Sequence, residues 1–124
     1  MTTITLNLST WRSGGDEGNI NSVGIGETSL CNFQHFQCCL GQFLFQIDKI
    51  PVTELLDKLT PRKLDRDNIF NRTKLGKILS TEAMGINDNA TITVEDRIIQ
   101  LKFLFALFGF NIITTGAPVL NLQQ

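Results

Sequence analysis

The chain has 124 residues, of which 42% are hydrophobic and 19% are charged, and its formal net charge is −1. This balance favours a folded chain over a disordered one, and the length is sufficient for one hydrophobic core. A nearly neutral chain has no overall positive field that would attract nucleic acid or an anionic membrane. We therefore predict a single domain over residues 1–124.

The N-terminal segment, Met1 to Leu8, alternates polar and apolar residues, which is the period of a half-buried strand. It lacks the basic start and the unbroken apolar stretch of a signal peptide. The next stretch, 13–26, contains five glycines among mostly polar residues and predicts an irregular loop. Thr28 to Phe33 is a second candidate strand. Three cysteines, two of them adjacent, do not form a paired disulfide framework, so we expect reduced thiols and a cytoplasmic location.

Apolar residues at spacings of three and four predict an amphipathic helix over 36–50. Gly41 lies inside this helix, where glycine is less favourable than alanine by roughly 1 kcal/mol. We therefore expect another backbone or a ligand to pack closely against Gly41. A second short helix is predicted to open at Pro51, and a third to run over 73–84 and stop at Gly85.

The last predicted helix has the strongest markers. Thr93 and Asp96 resemble a capping box, and apolar residues between 94 and 108 share one face. Gly109 is expected to take the left-handed conformation that commonly ends a helix. Residues 110–115 then predict a third strand.

These elements place strands at both ends of the chain and helices between them. The most apolar stretch, 98–113, is interrupted by polar residues and is too short to span a bilayer, so no membrane segment is expected. The order of elements predicts an α+β fold with a small, mainly antiparallel sheet and three to four helices packed on one face. We also expect the first and last strands to pair, because the helices between them could cover both.

Cys31, His35, Cys38 and Cys39 form the only compact set of soft metal ligands in the sequence. A structural zinc site needs four such donors, but neighbouring helical residues point about 100° apart, which makes joint ligation by Cys38 and Cys39 awkward. Cys38, near a helix N-terminus and close to His35, is also a candidate reactive thiol, although no third residue is placed to orient the histidine. We interpret the cluster as packing and predict no metal and no cofactor. A cysteine-dependent enzyme or a metal-binding protein is the alternative.

The segment from Lys58 to Lys77 contains seven basic and two acidic residues, whereas acids outnumber bases ten to four elsewhere. It predicts a cationic face on an otherwise acidic chain. With Phe70 as a stacking surface, the same segment could bind nucleic acid. The predicted binding residues are Arg62, Lys63 and Arg66 in this segment, together with Trp11 and Arg12. The last two could place a guanidinium against an indole to hold an anion or a partner, or could anchor the neighbouring loop.

Three short motifs occur together in this sequence: Trp11-Arg12-Ser13-Gly14-Gly15, Cys38-Cys39-Leu40-Gly41, and Ile86-Asn87-Asp88 ahead of a predicted helix with Glu95-Asp96-Arg97. The combination resembles small uncharacterised proteins of phages, prophages and other bacterial mobile elements. The resemblance implies a bacterial cytosol and an accessory gene. It implies no particular activity and no assigned site.

From these features we predict a non-enzymatic binding or regulatory accessory protein that acts through a protein partner. Weak nucleic-acid binding through residues 58–77 is a further alternative. Phe103, Phe105 and Phe110, near one end of the last helix, provide more apolar surface than one helix face needs. This excess is compatible with a homodimer.

Overall fold

The computed structural model describes residues 1–13, 30–31, 36–64, 66–89 and 91–117. The elements in chain order are β1 (Thr2–Asn7), α1 (Cys39–Asp48), α2 (Val52–Leu55), a 3₁₀ turn (Pro61–Lys63), α3 (Ile69–Arg72), α4 (Lys74–Asn87), α5 (Val94–Leu107) and β2 (Phe110–Thr115). The predicted mixture of helix and strand is confirmed. The glycine-rich stretch 14–26, His35 and most of the candidate strand Thr28–Phe33 lie outside the described residues.

The two described strands form a parallel pair, from Thr2 opposite Phe110 to Asn7 opposite Thr115. The predicted pairing of the first and last strands is confirmed, but the predicted antiparallel sheet is wrong. Parallel strands need a long crossover connection, and the helices between β1 and β2 provide it. Across the described ranges there are five α-helices, two of them only four residues long, where three to four were predicted.

The sheet has one buried and one exposed face, as expected from the alternation of side chains along a strand. Ile4, Leu6 and Ile112 are buried, whereas Thr3 and Ile113 are exposed. Helix α1 packs against β1 and α5 packs against β2. The two helices meet through Phe43 and Phe105, whose ring centroids are 5.0 Å apart in an edge-to-face arrangement. The core therefore lies between the helices and one face of the sheet.

Two glutamines of α1 close the outer edge of β1. Gln42 accepts a hydrogen bond from the Asn7 N–H at 2.7 Å and donates to the Asn7 carbonyl at 3.0 Å. Gln46 bonds both backbone groups of Thr5 in the same way, at 2.7 and 2.6 Å. Four helical residues rise about 6 Å and two strand residues span nearly the same distance, so the spacings match. The two side-chain amides thus form the hydrogen bonds that the backbone of a neighbouring strand would form with Thr5 and Asn7.

Helix α1 is shorter than the predicted helix over 36–50 because Gln37 is held in an extended conformation. The Arg12 N–H donates to the Gln37 carbonyl at 2.8 Å, and the Gln37 N–H donates to the Thr10 carbonyl at 2.9 Å. At the other end Lys49 has a φ of 57°, a left-handed conformation that ends the helix. Long-range backbone pairing, which local spacing does not reveal, therefore sets where α1 begins.

Gly41 lies where another backbone approaches α1. A Cβ atom built on Gly41 would lie only 1.8 Å from the carbonyl oxygen of Leu30. The predicted close approach at Gly41 is therefore confirmed. The neighbour is the backbone at Leu30.

Helix α4 continues beyond the predicted stop at Gly85 and ends at Asn87. A Cβ atom at Gly85 would meet nothing within 4 Å, so this glycine is an ordinary helix position. The predicted start of α5 is confirmed, since the Thr93 hydroxyl accepts from the Asp96 N–H at 3.1 Å. The helix ends at Leu107, one residue before the predicted Phe108, and Gly109 has the predicted left-handed conformation with a φ of 91°. Among the helices described here, none has the length and apolar character needed to cross a membrane.

Candidate functional site

The cysteines lie around the start of α1. Cys38 is the residue before the helix, Cys39 is its first residue, and Cys31 forms an isolated bridge with Leu56. All three are reduced and buried. Within the described part of the chain, no group of three His, Cys, Asp or Glu side chains is placed to hold a metal ion.

Burial controls the chemistry of these thiols. It raises the pKa of Cys38 from the ordinary value of 9.0 to about 12, although backbone N–H groups at the start of α1 favour the thiolate. Burial likewise raises the pKa of Cys31 to about 11, with a smaller contribution from Asp57, and holds the pKa of Cys39 well above its ordinary value. The loss of solvation therefore raises the pKa of Cys38 more than the backbone N–H groups at the start of α1 lower it. This geometry opposes the prediction that Cys38 is a reactive thiol.

We expect the native thiols to react with a disulfide reagent such as DTNB only through unfolding. The higher pKa lowers the thiolate fraction of Cys38 at pH 8, and burial blocks the reagent as well. Stopped-flow absorbance compares the folded protein, the urea-unfolded protein and a Thr81→Cys variant, whose new thiol lies on an exposed position of α4. The variant should show one fast equivalent and the parent none. A fast equivalent in the parent would restore the nucleophile hypothesis.

The same pKa values predict a loss of stability at alkaline pH. Cys38 binds its proton more tightly in the folded state, so its contribution is constant below about pH 9 and is lost as the pH rises from 9.0 toward 12. Urea unfolding at several pH values measures this fall.

Trp11 and Arg12 are buried and not displayed on the surface. The Trp11 Nε1–H donates to Asn87 Oδ1 at 2.7 Å, and the same oxygen accepts the Cys39 backbone N–H at 3.1 Å. Asn87 Nδ2 donates to the Arg12 carbonyl oxygen at 3.1 Å. These bonds fit the anchoring alternative and oppose a surface binding role for Trp11 and Arg12.

Sequence reasoning missed this buried role of Asn87. One signal was present, because Leu79, Ala83 and Asn87 follow one another at intervals of four and all three are buried. The neighbouring Arg97 is buried too. It donates to the Asn89 carbonyl at 2.9 Å and to the Ser13 hydroxyl at 3.2 Å. Burial lowers the pKa of Arg97 and nearby Asp88 opposes this effect.

Two arginines of the basic segment are neutralised by acids. Arg66, one of the predicted binding residues, contacts Glu54 at 2.7 Å and therefore already has an acidic partner. Arg72 contacts Asp67 at 2.8 Å and Asp48 at 3.2 Å. Exposed pairs of this kind stabilise little, but they reduce the charge available to a partner.

Three of the remaining cations, together with the acidic Glu82, border a surface depression of about 250 Å³. It is lined by Arg62, Lys74, Lys77, Ile78, Thr81 and Glu82. Lys63 is exposed beside Arg62 but does not line it. Arg62, Lys63, Lys74 and Lys77 form no salt bridge with any acidic residue that the structure describes.

Two aliphatic side chains lie among these cations on the outer side of α4. Leu75 is 64% exposed and Ile78 is 44% exposed. We call the set Arg62, Lys74, Leu75, Lys77 and Ile78 the cationic face. Sequence reasoning found the charge of this segment but not the aliphatic component.

Phe70 does not provide the predicted stacking surface, because its side chain is buried in the core. It lies in α3, which begins after Asn68. The Asn68 side chain accepts from the Phe70 N–H at 2.9 Å, and the Asn68 N–H donates to the Asn71 side chain at 3.0 Å. This capping box begins a short helix whose Phe70 side chain is directed into the core.

A second surface feature lies on α5. Ile99, Phe103 and Leu107 are 63%, 70% and 68% exposed, and we call these three residues the α5 stripe. They border a groove of about 390 Å³ that is also lined by Ile86, Gln100 and Leu104. Of the three phenylalanines predicted to leave apolar surface, Phe103 is exposed, Phe105 is buried and Phe110 is half-buried.

Comparison with known proteins gives no relative from which a role could be transferred. No protein-family model matches the sequence, and no match was found among the curated proteins or among the solved structures.

Proposed function

We propose that this protein is a non-enzymatic binding module that contacts an acidic protein surface through the cationic face. The observation that carries the proposal is a set of exposed cations, none in a salt bridge with an acidic residue that the structure describes, next to exposed aliphatic side chains on one side of α4. Cations steer an acidic partner toward the face and fix its orientation. Leu75 and Ile78 supply apolar area that becomes buried on contact.

A protein partner fits this composition better than nucleic acid does. Binding to single strands relies on exposed aromatic side chains on which bases stack, and Phe70 is buried. Binding to duplexes relies on many phosphate contacts, whereas Arg66 and Arg72 already contact carboxylates. Two exposed aliphatic residues add nothing to phosphate binding. The alternative of a cysteine-dependent enzyme is weakened by the burial of all three thiols.

The regulatory role, the setting in a phage or other mobile element and the cytoplasmic location stay predictions from the sequence. They are consistent with a small binding module that acts on a host protein. The acidic partner would then be a bacterial protein.

Charge reversal on α4 tests the proposal. In the variant Lys74→Glu/Lys77→Glu we expect binding to acidic proteins captured from a bacterial lysate to weaken about tenfold, because two favourable contacts become repulsive. Binding should also weaken with added salt, since exposed charges are screened within about 10 Å at 0.1 M ionic strength. Interferometry with the recovered partner measures both effects.

The matched control is Lys102→Glu, which reverses another exposed lysine on a different helix. It should leave the captured proteins unchanged, because Lys102 lies outside the cationic face. Fluorescence anisotropy with labelled single-stranded and duplex oligonucleotides tests the nucleic-acid alternative. Equal capture of proteins by the parent and by Lys74→Glu/Lys77→Glu would exclude the cationic face as the binding site. If the parent binds the oligonucleotides and the variant does not, nucleic acid is the favoured ligand.

A further inference from the structure

We infer that the α5 stripe is the contact surface of a symmetric homodimer. The stripe lies on the side of α5 opposite the buried residues Leu101 and Phe105. A surface helix normally has one apolar side and one polar side, but α5 has large apolar residues on both. Contiguous exposed apolar surface of this kind marks an interaction site in a folded protein.

The spacing of the stripe determines how a partner helix can pack. Ile99, Phe103 and Leu107 are separated by four residues each, so they form one ridge along the helix. The groove beside this ridge has Gln100 and Leu104 on the other wall and Ile86 of α4 at its border. Ridges with this spacing pack into the equivalent grooves of another helix at about −50°, the commonest helix crossing in globular proteins.

Ridge and groove in the same patch favour a second copy of this chain as the occupant. Under two-fold symmetry the ridge of each copy enters the groove of the other, so one operation fills both grooves and covers both ridges. Another protein would have to provide a matching ridge and a matching groove. The patch is thus complementary to itself.

Charge and area are compatible with this contact. Between Arg97 and Gly109 the only charged residue is Lys102, which points about 100° away from its neighbour Phe103. Two copies therefore meet without opposed like charges at the centre. A stable interface buries at least about 1,000 Å² in total, and each copy contributes three large apolar side chains that are 63–70% exposed, together with the residues that line the groove.

The proposed interface leaves the cationic face accessible. The groove reaches α4 at Ile86, nine residues after Lys77, which is about 13 Å along the helix axis. A dimer would therefore present two cationic faces. The dimer does not depend on the function proposed for those faces, and each can fail without the other.

Sedimentation equilibrium tests the proposal over a range of protein concentrations. The parent protein should reach twice the 13.9 kDa mass of one chain. Phe103→Glu should remain monomeric with unchanged circular dichroism, because Phe103 is exposed and contributes little to the monomer core. The matched control is Leu75→Glu, which places the same charge on a similarly exposed apolar residue of α4 and should remain dimeric. A monomeric parent, or a dimeric Phe103→Glu variant, overturns the inference.

Cross-linking provides a second test that keeps the native sequence elsewhere. The two-fold axis passes near Phe103, so the thiols of Phe103→Cys should meet their symmetry mates and form an intermolecular disulfide under mild oxidation. Leu75→Cys should not. Equal cross-linking of both variants would indicate random collision and would count against the proposed interface.

Discussion

Replacing Gly41 with alanine is expected to destabilise the protein by about 3 kcal/mol, more than most single substitutions do. The added Cβ would lie 1.8 Å from the Leu30 carbonyl oxygen and 2.8 Å from its carbonyl carbon. Both atoms belong to the backbone, so no side-chain rotation can relieve the overlap. Either α1 or the Leu30 segment must move, and packing around buried Cys39 and Leu40 is lost with it.

Gly85→Ala is the matched control for Gly41→Ala, because it is the same substitution inside another helix. No atom lies within 4 Å of a Cβ at Gly85, and alanine has the higher helix propensity. We therefore expect Gly85→Ala to stabilise the protein by about 0.5–1 kcal/mol. Urea denaturation followed by circular dichroism gives both free energies of unfolding. Changes of the same sign in the two variants would contradict the close approach of Leu30.

Replacing Asn87 with leucine is expected to destabilise the protein by about 3–5 kcal/mol. The substitution leaves the indole N–H of Trp11, the N–H of Cys39 and the carbonyl of Arg12 without the partner they have now. Each buried polar group without a partner costs about 1–3 kcal/mol. The free energy of unfolding measures the sum, and the emission of Trp11, the only tryptophan, reports the change at the site.

The effect of Asn87→Leu can be separated from a general loss of folding. Trp11→Phe removes the donor of the 2.7 Å bond and part of a buried ring, but it keeps the bonds of Asn87 to Cys39 and Arg12, so we expect a smaller loss, of about 1–3 kcal/mol. Asn111→Leu serves as a control, because Asn111 is exposed on β2 and should change stability little. If Asn87→Leu and Asn111→Leu had similar effects, Asn87 would not link the three segments as described.

The two proposed surfaces would give this chain a simple mode of action. The α5 stripe would hold two copies together, and each copy would present a cationic face to an acidic partner. Two linked contacts raise the apparent affinity for a repeated or dimeric partner, because the second contact forms at a high effective concentration. Phe103→Glu should then weaken binding to such a partner but leave a single contact unchanged.

Local patterns in the sequence were sufficient for several features of this fold. The capping pair Thr93 and Asp96 and the left-handed Gly109 depend on residues within one turn of a helix. The charge of the 58–77 segment is likewise a property of the sequence. These predictions are confirmed because short-range sterics and hydrogen bonding act in the same way in any fold.

Contacts between distant parts of the chain decided the rest. The parallel direction of β1 and β2 depends on the path through the helices between them, and the start of α1 depends on the pairing of Gln37 with residues near Trp11. The burial of Trp11, Arg12 and Cys38 follows from the same contacts. In the sequence these residues resemble a surface binding pair and a reactive thiol. Tertiary packing removes water from them, and loss of solvation raises the pKa of the Cys38 thiol, while the Trp11 indole N–H donates to Asn87 inside the core.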